Sequence, residues 1–376
     1  MAKFLFYDDK LINILQKDER PSGGAAVQTL GWIQGLSKAG QEIYVLTGPA
    51  KDAVIKEQYK EFNIIPLYDQ QKGVRWIRWV YYRLPYIYKK VRSTKPDYLY
   101  QSIPGWSSFL IGSLCRYLKI RYVLRISNDN LTDERFFKHY SRAHHFFLKS
   151  GMKLAYCILC QNEYQLENIK KKLPGKYVVK LPNPILLKPS QQLSDTRARG
   201  YIAWVGLFQY QKNLKLLYEI ASSLQNEQFW VAGKELPKLD NETVRYLEKL
   251  RQLPNVKFVG FLKRNEVQSF IANAKFLLNT SYYEGFSNTF LEAMAVGTPI
   301  ISSSKVNPDG FITTNCLGIV YENAQDLARQ YAAVTASSYE LMSKKALQYV
   351  SQHHSHDHLA RRLLDILNEK QMSLCN

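Results

Sequence analysis

The feature that most constrains this chain is a two-fold series of short β-branched and aromatic runs spaced by helical stretches. The first series reads as strands at Lys3–Tyr7, Ile43–Thr47, Asn63–Leu67, Asp97–Gln101, Arg121–Ile126, Tyr156–Cys160 and Tyr177–Leu181. The second reads as Tyr201–Gly206, Phe229–Ala232, Val256–Val259, Phe276–Asn279, Pro299–Ser302 and Gly318–Tyr321. Several are unbroken apolar runs, as strands buried on both faces must be. Strands alternating with helices predict parallel sheets with right-handed crossovers. Between the series stand Leu181-Pro182-Asn183-Pro184 and the polar stretch Lys188–Gly200. Two prolines in three residues continue neither helix nor central strand, so the domain boundary falls there. The 376 residues also exceed what one hydrophobic core usually supports, roughly 250–300. The expected fold is α/β, two doubly wound Rossmann-like domains facing a cleft: residues 1–183 and 184–355. Ligands of such sheets bind at the carboxyl ends of the strands.

Composition narrows the class. Hydrophobic residues make up 46%, which excludes wholesale disorder. Lys+Arg number 51 against 32 Asp+Glu, a net +19 that points to an anionic partner. Much of it is local. Gln71–Arg125 holds twelve Lys/Arg and one acid, Asp97, interleaved with Trp76, Trp79, Tyr81, Tyr82, Tyr86, Tyr88 and Trp106. Val74–Arg92 reads as a basic aromatic helix interrupted at Pro85. Such a surface suits an anionic bilayer or a lipid-diphosphate acceptor, and equally a solvated basic face over buried tryptophans. No RRM, KH, zinc or helix-turn-helix pattern accompanies it, so no nucleic acid partner is expected.

Five scattered cysteines make a poor disulfide framework and point to a reducing compartment. Cys157 and Cys160 sit in an apolar run, where a spacing of three puts them on opposite faces of a strand; they read as buried structural residues. The N-terminus meets Asp8-Asp9 too soon for a signal peptide, and no 18-residue apolar stretch exists. The expected location is cytoplasmic, with peripheral contact at the inner face of the membrane. GxGxxG, GxxxxGK[ST] and GxSxG are all missing. His353-His354-Ser355-His356-Asp357-His358 lacks the cysteine or second acid that would complete a metal site, so it reads as a solvated linker before the last helix.

Three segments carry chemistry. Pro21-Ser22-Gly23-Gly24-Ala25-Ala26 precedes a helical pattern over Val27–Ala39. Gly23 and Gly24 would let backbone approach a ligand at a helix start, and an ordinary glycine-rich loop fits equally well. Val205-Gly206-Leu207-Phe208-Gln209-Tyr210-Gln211-Lys212-Asn213 runs from a strand end into a helix. Lys212 in a first turn opposes the helix dipole, which favours service to a bound anion over helix stability. Most informative is Ser281–Ala295, linking a strand to a helix with Phe290 and Met294 on its apolar face. Gly285, Phe286, Ser287 and Asn288 offer successive N–H groups, a phosphate-sized anion site. Glu284 stands just before them, able to bond sugar hydroxyls or stabilise positive charge. Glu292 follows, with Thr289-x-x-Glu292 also matching a capping box.

The spacing Glu284-x7-Glu292, the Gly285–Asn288 run and Gly297-Thr298-Pro299-Ile300-Ile301-Ser302 resemble the donor site of GT-B retaining glycosyltransferases of family GT4. Val205-Gly206…Lys212-Asn213 and Gly23-Gly24 resemble its other two signatures, and Leu181–Ile185 its interdomain linker. The resemblance implies a transferase taking a nucleotide diphosphate sugar and a glycan or lipid-linked acceptor. It gives Glu284 to the transferred sugar, Glu292 to the ribose, Gly285–Ser287 N–H groups to sugar and diphosphate, Lys212 to the diphosphate, and Gly24 to closure of the N-terminal loop. It implies no metal and no cofactor. It makes 1–183 the acceptor-side domain, with a C-terminal helix of about 356–376 packed back on it, and 184–355 the nucleotide-sugar domain. Base recognition is expected near Gly260–Lys263. Two departures stand out. Leu207 occupies the usual arginine position, with Lys234 as a candidate replacement. The loop Arg125–Asn130 lacks the usual histidine, leaving Asn128 and Asp129 as candidate catalytic or acceptor-orienting residues. A non-catalytic partner with a decayed donor site and a sugar-nucleotide epimerase are the alternatives.

Overall fold

The computed structural model describes residues 1–20, 22–48, 53–74, 77–135, 141–187 and 200–375. Pro21, Trp76 and most of the Lys188–Gly200 stretch therefore lie outside the described residues. The chain forms two compact units, 1–186 with 356–376, and 187–355.

All thirteen expected strands are present. In the first unit they are β1 (Lys3–Tyr7), β2 (Glu42–Thr47), β3 (Asn63–Pro66), β4 (Tyr98–Ser102), β5 (Arg121–Arg125), β6 (Cys157–Cys160) and β7 (Val178–Lys180). They pair in parallel, in the order β3-β2-β1-β4-β5-β6-β7. In the second unit β8 (Tyr201–Phe208), β9 (Phe229–Glu235), β10 (Val256–Gly260), β11 (Ala274–Asn279), β12 (Ile300–Ser303) and β13 (Gly318–Tyr321) take the order β10-β9-β8-β11-β12-β13, again all parallel. Central strands β4, β6 and β12 are buried along their whole length, whereas edge strands β3 and β10 are not. That is why β6 reads as an unbroken apolar run and β4 and β12 begin as apolar ones.

The period of two along β1 sorts its side chains between two cores. Phe4 and Phe6 join Tyr98, Tyr100 and Val123 under the helices Gly24–Lys38 and His356–Cys375, which add Trp32, Leu36, Leu359 and Leu363. Leu5 joins Leu46, Leu99, Leu124 and Ile158 on the other face, under Ser107–Tyr117 and Arg142–Leu154. Cys157 belongs to the first core and Cys160 to the second, and burial pushes each thiol up to about 12. Close helix packing explains two glycines. A Cβ on Gly31 would lie 2.9 Å from the Pro184 carbonyl oxygen, and one on Gly35 would lie 2.6 Å from that of His356.

Two expectations are corrected. Pro85 changes the winding without breaking the helix: Trp79–Arg83 winds as a π turn that runs directly into the α-helix Leu84–Thr94, and Pro85 follows the switch by one residue. Arg83 is already helical (φ −71°, ψ −51°), so Pro85 stands inside a continuous helix, and the wider winding just before it is where the N–H it lacks is accommodated. The His353–His358 stretch is not solvated throughout. His354 is 1% and His356 5% exposed, because the first packs on aromatic rings and the second starts the C-terminal helix against Gly35.

Candidate active site

The order of the second sheet reverses between β8 and β11, so the loops leaving their carboxyl ends diverge and open the crevice where α/β sheets bind ligands. Both loops carry residues singled out above. They are knitted together: the Tyr282 N–H donates to the Gln211 carbonyl at 2.9 Å, and Gln211 Nε2 to the Tyr283 carbonyl at 2.9 Å. Thr280 Oγ1 donates to the Lys212 carbonyl at 2.8 Å, and Tyr210 stacks on Tyr282 with centroids 4.9 Å apart.

This brings Lys212 Nζ within 2.5 Å of Glu284 Oε1, an oxygen that also accepts from Ser281 Oγ at 2.9 Å. Lys212 does not sit in the first turn of a helix. It ends a short 3₁₀ turn, and Asn213, at φ 50°, caps the helix Leu214–Ser223 by accepting from the Leu216 N–H. The left-handed Asn213 ends the turn and separates Lys212 from the helix proper. At Gly206 a Cβ would lie 3.0 Å from Trp204 Cη2, tighter than ordinary contact, and would just touch the Lys212 stem at 3.4 Å. Gly233 pairs with Gly206 and Lys234 with Leu207; Lys234 is exposed.

Ser287 is the N-cap residue of Asn288–Met294, and its hydroxyl bonds Thr289 Oγ1 at 2.9 Å. The capping-box reading of Thr289 and Glu292 therefore fails: Thr289 is inside the helix. Glu292, 8% exposed, instead accepts from Arg264 Nη1 at 2.6 Å. Phe286 turns inward onto Phe290, Phe311 and His354, so only its backbone is available to a ligand. Arg264 was not singled out in the sequence, and His354 was read there only as part of a solvated linker. An arginine opening a helix, against the dipole, is the signal that marks the first; nothing local marks the second.

The remaining candidates belong to the first unit. Gly23 is the N-cap residue of Gly24–Lys38, with an ordinary φ of −74° and open space where a Cβ would project. Asn128 heads the turn Asp129–Leu131, where its side chain accepts from the Asn130 N–H. Asp129 accepts from Asn162 Nδ2 at 3.0 Å and Gln165 Nε2 at 2.9 Å; burial pushes its carboxyl up to about 6 despite those bonds. Upstream, fully buried Arg125 donates to the Leu181 carbonyl (2.8 Å) and Asn183 Oδ1 (2.6 Å), fastening the proline-rich linker to β5. Among the described residues no cluster of three His, Cys, Asp or Glu side chains is placed to hold a metal, and no helix is long and apolar enough to cross a membrane.

Residues 199–337 match the family model described as glycosyl transferases group 1. TuaC of Bacillus subtilis (strain 168), a proposed teichuronic acid biosynthesis glycosyltransferase, is 22% identical over 324 residues, covering 77% of this chain and 79% of its own. Among solved structures, sucrose-phosphate synthase from Thermosynechococcus elongatus superposes with a TM-score of 0.79 at 16% identity, over the whole of both chains. TarM of S. aureus, in complex with UDP, alpha-GlcNAc-glycerol and fondaparinux, gives 0.77 at 11% identity over 98% of this chain and all of its own. Anabaena HepE with UDP and glucose gives 0.74 at 14%, with the same coverage. The fold is GT-B.

Proposed function

From a GT-B chain whose second unit matches the group 1 glycosyl transferases, we propose a retaining, metal-independent transferase of the GT4 type, moving a sugar from a nucleotide diphosphate sugar to an acceptor hydroxyl. The observation that carries this reading is the Lys212–Glu284 pair at the β8/β11 reversal, with Glu292 held on the next helix. UDP in the TarM and HepE complexes adds support for a nucleotide donor.

In this reading Lys212 leaves Glu284 for the donor diphosphate, and the Gly285–Ser287 N–H groups complete its cradle. Glu284, released, accepts from sugar hydroxyls and stabilises charge developing at the anomeric carbon. The bond from that carbon to the diphosphate oxygen breaks while the acceptor oxygen attacks from the same face. The acceptor proton passes to the leaving diphosphate, so no protein base is required. Glu292 takes the ribose, and Asn128 and Asp129 serve the acceptor side. A lipid-linked or cell-surface glycan precursor fits the basic first unit, where Ile77 and Val80 are 57% and 73% exposed beside Arg78 and Arg83.

The test is ligand-observed NMR and thermal shift with UDP, GDP and ADP on wild type and Lys212→Ala. One nucleotide should bind, with affinity falling about tenfold or more in the variant, as loss of a charge-assisted contact implies. EDTA should leave turnover unchanged. Failure of all three nucleotides to bind would replace this reading with a non-catalytic partner protein; isomerised donor without acceptor would replace it with an epimerase.

A further inference from the structure

Glu292 lies on a helix whose neighbours Phe290, Leu291, Ala293 and Met294 are all buried. A carboxylate so enclosed needs a charge-assisted partner. Arg264 supplies it from the first turn of the helix Arg264–Ala272. The helix itself gains nothing from this arginine. A cation in the first turn opposes the dipole, and Glu266 already provides the favourable charge there, accepting from the Lys263 N–H at 2.7 Å. The placement is explained by Glu292.

We infer that Arg264 is a positioning residue that aims the Glu292 carboxylate at the vicinal ribose diol and cancels its charge so that a diphosphate can bind nearby. This rests on the assignment of Glu292 to the nucleotide. The bond from Arg264 Nη1 to Glu292 Oε1 comes from a planar, directional donor and fixes where that oxygen sits, which a freely rotating lysine ammonium does less well. Arg264 therefore sets how strongly the protein prefers a ribonucleoside to a deoxyribonucleoside diphosphate. With Glu292 fixed, the 2′-hydroxyl meets an acceptor it cannot replace with water at no cost; with Glu292 free to swing, that preference dissolves.

The experiment is calorimetry on the full chain with whichever of UDP, GDP and ADP binds, against its 2′-deoxy counterpart. Wild type should favour the ribonucleotide by about tenfold or more, the scale of a hydrogen bond to a charged group. In Arg264→Met the preference should fall to about twofold or less, and Glu292→Gln should do the same. The double variant should show no further loss of preference. Arg264→Lys should regain overall affinity without regaining the preference, and it serves as the second probe if Arg264→Met folds poorly. An undiminished preference in Arg264→Met or Arg264→Lys overturns the inference, leaving the pair a purely structural bridge. Equal binding of both nucleotides by wild type overturns it through Glu292 while sparing the Lys212 site. No binding of any nucleotide to wild type sinks the donor reading as well.

Discussion

The Lys212–Glu284 pair holds together two groups that a diphosphate sugar would separate. Glu284→Gln loses the charge but keeps the shape and an acceptor for Ser281. The expected outcome is turnover reduced by about 10²-fold or more, as for other preorganised charge-stabilising groups. Affinity for the nucleotide alone should hold or rise, since Lys212 no longer has an anion to leave. Full turnover in Glu284→Gln would remove Glu284 from the mechanism. Asp129 gives a pH prediction. Its folded carboxyl is raised to about 6, so the native state binds the extra proton. Stability from this group is complete below its ordinary value near 3.8 and is lost as pH rises through about 6. Asp129→Asn keeps an oxygen for Asn162 and Gln165 and cannot ionise. It should match wild type in urea melts near pH 4 and exceed it at pH 7 by on the order of 1–2 kcal/mol. Identical pH slopes would refute the assignment. Glu284, Glu292 and Lys212 were legible in the sequence because glycines and strand-to-helix turns flag them. Arg264 and His354 owe their importance to a partner distant in sequence, which no local pattern encodes.

Among the elements, the helix Gly24–Lys38 depends on two small faces. Gly35 lets the backbone at His356 approach, seating the C-terminal helix whose Leu359, Leu363 and Leu367 complete the core. Gly35→Ala puts a methyl 2.6 Å from the His356 carbonyl oxygen. Overpacking of this kind typically costs about 1–3 kcal/mol, so the melting temperature should drop by several degrees. An unchanged melting temperature would mean the C-terminal helix moves aside freely. The strand series was readable because burial on both faces favours apolar runs, and observed ends differ from expected ones by at most three residues. Proline marked where the winding changes but not the π turn itself, in which Trp79 meets Trp106 and Tyr68 with centroids 4.8 and 6.0 Å apart. The capping box failed as well. Only Thr289-x-x-Glu292 matches the pattern, yet the helix is capped two residues earlier at Ser287 and a tertiary ion pair engages Glu292 instead.

Across the whole molecule the charge is divided unevenly. The first unit holds 33 Lys/Arg against 18 Asp/Glu, and the second 18 against 14, so +15 of the +19 lies on the first. Within it, Arg78 and Arg83 donate to the Gln70 carbonyl, beside exposed Ile77 and Val80. Wild type should cosediment with phosphatidylglycerol vesicles at low salt and release at high salt, and Val80→Glu should weaken binding by about fivefold or more. Indifference to vesicle charge would confine the basic face to solvation. What the sequence determined by itself is the class of fold, the linker and the loops bearing Lys212, Glu284 and Glu292. Hydrophobic periodicity, proline and glycine act within a few residues and leave their mark there. The tertiary structure decided which charges meet. The reversal of strand order brings two loops 72 residues apart into one ion pair, a helix 28 residues upstream supplies the partner of Glu292, and His354 is buried under the loop that holds Glu284. Such pairings depend on distance in space, where burial makes each unpartnered charge costly and so selects the neighbours that remain.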